Sequence, residues 1–260
     1  MYFRTKPTVM KKILSGILMC FSLAAMAQHA QADNISTSKG ALEIQPVTHA
    51  SLIFTFNKMK IFMDPYSGAE AYKDLGQPDM IIITDIHPDH LDHATLNGLD
   101  ISKLKTVIAP QAVADKLPEN LKKMTKVLEN GKTITESGIK IEAIPMYNLP
   151  EDPSAMHTKG RGNGYVLTFG DKRVYVSGDT EDIPEMRKLK NIDVAFVCMN
   201  LPYTMDVKQA ASAVIEFKPK IVYPFHYRGQ DGLSNTEEFK NLVNKGDPKI
   251  DVRLRDWYAR

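Results

Sequence analysis

Apolar residues recur along this chain in short runs, each closed by glycine, proline, asparagine or aspartate, which is the pattern of β-strands between turns. Runs at 42–47, 51–56, 59–63 and 80–84 form a first batch, with Asn57-Lys58 as a turn between the second and third. A second batch lies at 106–109, 126–129, 132–135 and 139–144, its middle pair joined by Asn130-Gly131. Further strands are expected at 164–169 and 173–177, joined across Gly170-Asp171-Lys172, then at 193–198 and 221–224, with 251–254 as an edge strand. Helical spacing appears at 112–117, 181–189, 207–217 and 236–243. Strands in two batches, each followed by helices, predict a mixed α/β fold: two sheets face to face with helices outside. No glycine-rich phosphate loop follows the first strand, which argues against a doubly wound nucleotide-binding fold. No linker or repeat divides the chain after its first residues, so a single domain is expected over 33–260.

Those first residues read differently. Lys11 and Lys12 precede an apolar run from Ile13 to Met26, and small-residue sites follow at Ala25-Met26-Ala27 and Ala30-Gln31-Ala32. That layout predicts a secretory signal peptide over residues 1–32, cleaved after Ala32 or after Ala27, and hence a periplasmic or secreted protein. The run is too short to span a bilayer comfortably, so no stable membrane span is expected after processing. Charge follows the same division. The whole chain carries a formal +2, but the segment contains Arg4, Lys6, Lys11 and Lys12 and no acid, so the remainder carries −2. A nucleic-acid partner is therefore not expected, because phosphate binding needs clustered lysine and arginine. Of the two cysteines, only Cys198 lies beyond the segment, inside an apolar run; it reads as a buried thiol.

Histidine carries the chemistry. Seven occur, and three of them crowd into the twelve-residue stretch IITDIHPDHLDH at 82–93 together with Asp85, Asp89 and Asp92. Imidazole nitrogens and carboxylate oxygens suit zinc, manganese or iron(II), and a strand end is where such side chains converge on a cleft. Asp85, His87 and Asp89 alternate as on an extended strand, presenting one face, and His90 follows where the chain turns toward a helix. Met156-His157-Thr158, Ser177-Gly178-Asp179-Thr180 and Pro224-Phe225-His226-Tyr227 each place one further ligand-type residue at a strand terminus. No Gly-x-Ser-x-Gly elbow is present, so a serine nucleophile of that kind is not expected.

Taken in order, these segments resemble the metallo-β-lactamase-fold hydrolases, in particular the branch similar to ascorbate-6-phosphate lactonase and related bacterial and archaeal hydrolases. The resemblance runs from about Leu42 to Tyr258 and rests on THAS at 48–51, Asp64-Pro65, TDIHPDHLD, Tyr147-Asn148, His157 with GRGNG at 160–164, SGDT and PFHY. It implies a four-layer αββα sandwich and two divalent metal ions, zinc or else manganese or iron(II). Asp85, His87 and His157 would hold one ion, Asp89, His90 and His226 the second, and Asp179 would bridge them. The family's loop usually reads His-x-His-x-Asp-His, so an aspartate stands here in the first histidine position. That exchange makes the site harder and one charge more negative. Asp89 would orient a metal-activated water against a small-molecule ester, lactone, amide or phosphodiester. Tyr147 and Asn148 match a family pair near the cleft and are candidate substrate contacts; Lys159, Arg161 and Arg228 could meet an anionic group. His49 would brace a ligand or serve structurally, and His93 reads as structural. Two other functions stay open: β-lactamase activity, and a metal-binding protein without catalysis.

Overall fold

The computed structural model describes residues 1–3 and 29–258, so nearly all of the expected export segment lies outside the described residues. Two seven-stranded sheets dominate. The first runs in chain order through β1 (Asp33–Thr37), β2 (Gly40–Thr48), β3 (Ser51–Phe56), β4 (Met59–Met63), β5 (Met80–Ile82), β6 (Thr106–Ala109) and β7 (Thr125–Val127). The second contains β8 (Thr133–Glu136), β9 (Ile139–Met146), β10 (Gly162–Phe169), β11 (Lys172–Val176), β12 (Val194–Cys198) and β13 (Ile221–Phe225). A small hairpin, β14 (Arg228–Gly229) with β15 (Gly232–Leu233), stands apart, and β16 (Asp251–Val252) closes the second sheet beside β13. In each sheet the first three pairings are antiparallel and the last three parallel.

Helices α1 (His93–Gly98), α2 (Gln111–Ala114) and α3 (Glu119–Lys122) cover the outer face of the first sheet. Helices α4 (Pro184–Arg187), α5 (Val207–Phe217) and α6 (Thr236–Gly246) belong to the second sheet's side. Strand β5 shows how the layers arise. Met80 and Ile82 point into the core between the sheets, whereas Ile81 packs with Phe62, Leu96 and Val113 beneath the helices. A strand covered on both faces has no polar side, hence its continuous apolar run. Helix α5 begins at a capping box between Asp206 and Gln209 and buries Ala210, Ala213, Val214 and Phe217. The result is the αββα sandwich that the resemblance implied. Among the described residues no helix is long and apolar enough to cross a membrane.

Two expectations need correction, and one strand was missed. Asn130-Gly131 joins 126–129 to 132–135 as expected, but the second batch does not form one sheet: the link carries the chain from β7 in the first sheet to β8 in the second. Asn130 is committed to that crossing, since its Nδ2 donates to the Gly162 carbonyl and to Asn163 Oδ1. The helix expected at 181–189 shrinks to α4, because Pro184 at its first turn admits no earlier start. Strand β1, which begins directly after the expected export segment, had too polar a sequence to stand out.

Candidate metal centre

Ligand-type side chains collect where strands of both sheets end. The loop after β5 supplies Asp85, His87, Asp89 and His90, and the β9–β10 loop supplies His157. Asp179 follows β11 and His226 follows β13. Three groups result, each with its ligand atoms within 4.8 Å of one another: Asp85, His87 and His157; His90, Asp179 and His226; His49, Asp89 and His226. Asp179 links them, with Oδ2 3.3 Å from His157 Nε2 and 3.4 Å from His90 Nε2, and Oδ1 3.2 Å from His226 Nε2. All seven residues singled out as ligands thus meet in one cleft. His93 stands apart, exposed at the start of α1.

The donor chemistry fits a cation. Nε2 of His90 and Nε2 of His226 face each other at 3.2 Å, and Asp179 Oδ1 is buried yet makes no hydrogen bond among the described residues. Outer partners fix the rings. His90 Nδ1 lies 2.8 Å from Asp64 Oδ2, which leaves Nε2 free to face the cleft. Asp64 also accepts from the Thr84 amide at 2.7 Å and from the Thr84 hydroxyl at 2.6 Å. His157 Nδ1 lies 3.2 Å from Asn148 Oδ1, which also accepts from the His157 amide at 2.8 Å. His49 bridges Tyr258 Oη on Nδ1 at 2.8 Å and Asp89 Oδ2 on Nε2 at 3.1 Å.

Backbone conformation reflects the same demands. His49, Asp64 and His226 have φ of 55°, 41° and 45°, in a left-handed region that side chains ordinarily avoid. Such strain persists where surrounding structure over-determines it, typically at functional sites. The His226 amide donates to the His49 carbonyl at 3.2 Å, tying two of these positions together. Gly178, before Asp179, has φ +61°, and a Cβ there would sit 2.7 Å from Met146 Sδ and 3.0 Å from the Asn163 carbonyl. Only glycine lets the chain turn there.

Without a metal, protons supply the positive charge. Burial disfavours charged imidazole, but Asp179, Asp89 and Asp64 hold His90 well above its ordinary value, and Asp179 and Asp89 raise His226. Burial also opposes the Asp179 charge, but His226 and His90 keep its carboxyl well below the usual range. Asp85 is held down to about 2 against burial by His87, His90 and Arg161. At His49 burial wins over the Asp89 contact, and the ring drops to about 4, so it is neutral.

Several side chains face elsewhere than sequence suggested. Asn148 spends its amide nitrogen on Glu181 Oε1 and the Tyr203 carbonyl and its oxygen on His157. Tyr147 is buried, with its hydroxyl donating to Glu185. Lys159 pairs with Glu151 and Glu185, and Arg161 turns inward onto Asp85. Arg228 lies over the Tyr258 ring. Asp64 and Tyr258 had been noticed only as parts of the family resemblance. For Asp64 the one signal was an Asp-Pro pair closing a strand; nothing local marked Tyr258, which is brought in by the chain's last turn.

Comparison with known proteins gives a consistent picture. The family described as "Beta-lactamase superfamily domain" matches residues 43–226. A UPF0173 metal-dependent hydrolase of Pyrococcus abyssi is 29% identical over 217 residues, covering 78% of this chain and 92% of that one. Among solved structures, a proposed metal-dependent hydrolase of Parabacteroides distasonis aligns with TM-score 0.77 and 41% identity over 88% of this chain and 99% of its own. The metallo hydrolase Igni18 of Ignicoccus hospitalis aligns with TM-score 0.68 and 22% identity, over 82% and 94%.

Proposed function

We propose, for a chain that belongs to the β-lactamase superfamily of metal-dependent hydrolases, that it is an exported enzyme acting with two divalent ions on a small ester, lactone, amide or phosphodiester. The observation that carries the reading is Asp179, whose two oxygens reach both His157 and the His90–His226 pair. Asp85, His87 and His157 would hold one ion; Asp89, His90 and His226 would hold the other; Asp179 would touch both. Zinc suits these donors, and the added carboxylate at Asp85 makes manganese or iron(II) suitable as well. When bound, such a pair lowers the pKa of a water and polarises the oxygen of the substrate under attack.

The chain's own residues do the rest. Asp89 is 29% exposed at its side chain, against 0% for Asp85 and 4% for Asp179, so it is the site carboxylate that meets the open cleft. It would orient the attacking water. Neutral His49, held by Tyr258, fixes that carboxylate from the side. Asp64 and Asn148 keep His90 and His157 turned with Nε2 inward. Export is supported by Lys11-Lys12, the apolar run and the Ala-x-Ala sites.

Metal analysis of native protein, joined to a panel of lactones, esters, amides, phosphodiesters and a chromogenic β-lactam, tests the activity. Two ions per chain, with turnover abolished by a chelator and restored by metal, is the expected result. A metal-replete protein inert on every class would instead mark a binding protein without catalysis, and efficient β-lactam turnover would make it a β-lactamase. Mass spectrometry of the protein from its native host tests export; an intact N-terminus would refute it.

A further inference from the structure

Arg161 has no place in the ligand set, yet it sits against it. Its Nε lies 3.3 Å from Asp85 Oδ1 and its Nη2 3.2 Å from Asp85 Oδ2. Nη2 also donates to the Met156 carbonyl at 2.6 Å, and the Arg161 amide closes a turn onto Thr158. One short segment therefore delivers both His157 and the cation that grips Asp85. The carboxylate is fully buried, with Oδ2 2.6 Å from His87 Nδ1 and 3.9 Å from His157 Nε2. Oδ1 is thus committed to arginine, while Oδ2 is shared between arginine and the two histidines.

We propose that Arg161 is a built-in counter-cation of this group, neutralising Asp85 and fixing its Oδ2 toward His87 and His157 so that the group stays assembled whether or not a metal is held there. The physical need is specific to this chain. An imidazole in the Asp85 position would be neutral; a buried carboxylate carries a charge that must be paired, and leaving it alone is costly. A planar guanidinium meets a carboxylate through two parallel contacts, which sets orientation as well as charge. Arg161 is a positioning residue here: it acts through Asp85, and its effect should depend on Asp85 being charged. The inference rests on the proposed ligand role of Asp85 only for metal-loaded protein; for metal-free protein it stands without that role.

The test is a thermal-melting cycle on the full chain, with and without zinc, using Arg161→Met, Asp85→Asn and the double variant. Metal-free Arg161→Met should melt lower than wild type by roughly 5–10 °C, since one partner of a buried pair has been removed. Zinc should recover most of that loss by supplying the missing positive charge. Adding Asp85→Asn to Arg161→Met should also recover much of it in the metal-free state. Arg161→Lys, which restores charge without the two-point grip, should fall between. An equal loss in charged and uncharged Asp85 backgrounds would overturn the proposal and leave Arg161 as a staple on the Met156 carbonyl. Should wild type gain nothing from zinc while the metal-free cycle still shows coupling, the metal reading fails and the counter-cation stands.

Discussion

Replacing Asp64 by alanine removes one carboxylate that the site uses from outside. Its side chain is only 2% exposed and serves three donors: the Thr84 amide, the Thr84 hydroxyl and His90 Nδ1. Hydrogen bonds to a charged group are worth about 1.5–3 kcal/mol each, and buried donors left unmet carry a desolvation cost. The three share one acceptor and will not add fully, so a loss of about 4 kcal/mol is expected, or roughly 10 °C in melting temperature for a domain of this size. The second effect is on the metal. Without Asp64, His90 Nδ1 keeps only the Thr84 hydroxyl, at 2.9 Å, to hold the ring with Nε2 toward Asp179, and removing such an outer partner typically weakens metal affinity about 10–100-fold. Chelator competition on folded Asp64→Ala, at a temperature well below its melting point, reads that number. Asp64→Asn keeps the shape and one acceptor, so it should lose less stability while still weakening metal. Metal affinity within about twofold of wild type in a folded Asp64→Ala protein would refute the claim that this carboxylate orients His90.

Other outcomes follow from the same geometry. Asp85→Ala should lower metal content from two ions per chain toward one, with activity falling alongside, whereas Asp85→His should retain two and favour zinc; elemental analysis with metal competition decides between ligand and bystander. Metal binding near neutral pH should release protons, because His90 and His226 are raised above their ordinary 6.5 in the metal-free site and must give up protons to bind; calorimetry in buffers of different ionisation enthalpy measures the release. The same raised values mean that these rings stabilise metal-free protein fully below pH 6.5 and lose that contribution as pH rises through their folded values, so metal-free melting should decline across that range and metal-loaded melting should not. His49 acts only below 6.5 and does not offset this trend. Cys198, buried in β12 with its thiol pushed up to about 11 by burial, should resist thiol reagents in folded protein and react once denatured.

Residues that act through local pattern could be read directly. The continuous apolar run of β5 announced a buried strand, and the structure covers it on both faces; Asp85, His87 and Asp89 behind it do reach one cleft, but on a loop that bends and turns from Ile86 onward rather than on an extended strand. The two-batch grouping put 106–109 and 126–129 with the wrong sheet, because the turn chemistry of Asn130-Gly131 is the same whether the chain returns along its own sheet or crosses to another; the strand pairing and the bonds from Asn130 to Gly162 and Asn163 show that it crosses. Arg161 looked like a loop cation open to an anionic ligand, since nothing in a sequence tells whether a long side chain turns inward. Tyr258 was illegible for a related reason: it meets His49 across a separation of 209 residues. Contacts of that kind are set by docking of finished elements, not by neighbouring residues.

The matching strand order of the two sheets bears on how the protein comes together. His49, Asp85, His87, Asp89 and His90 come from the first half of the chain, and His157, Asp179 and His226 from the second, with the crossing at Asn130-Gly131 between them. Each half can pair its own strands, but neither contains a full set of ligands. An ion held there spans the seam and acts as a rivet: it binds only the docked form and so draws the halves together by mass action. Metal uptake during refolding therefore clocks the joining of the halves rather than the formation of either sheet, and a chain nicked within the crossing should hold together more tightly in metal than in chelator.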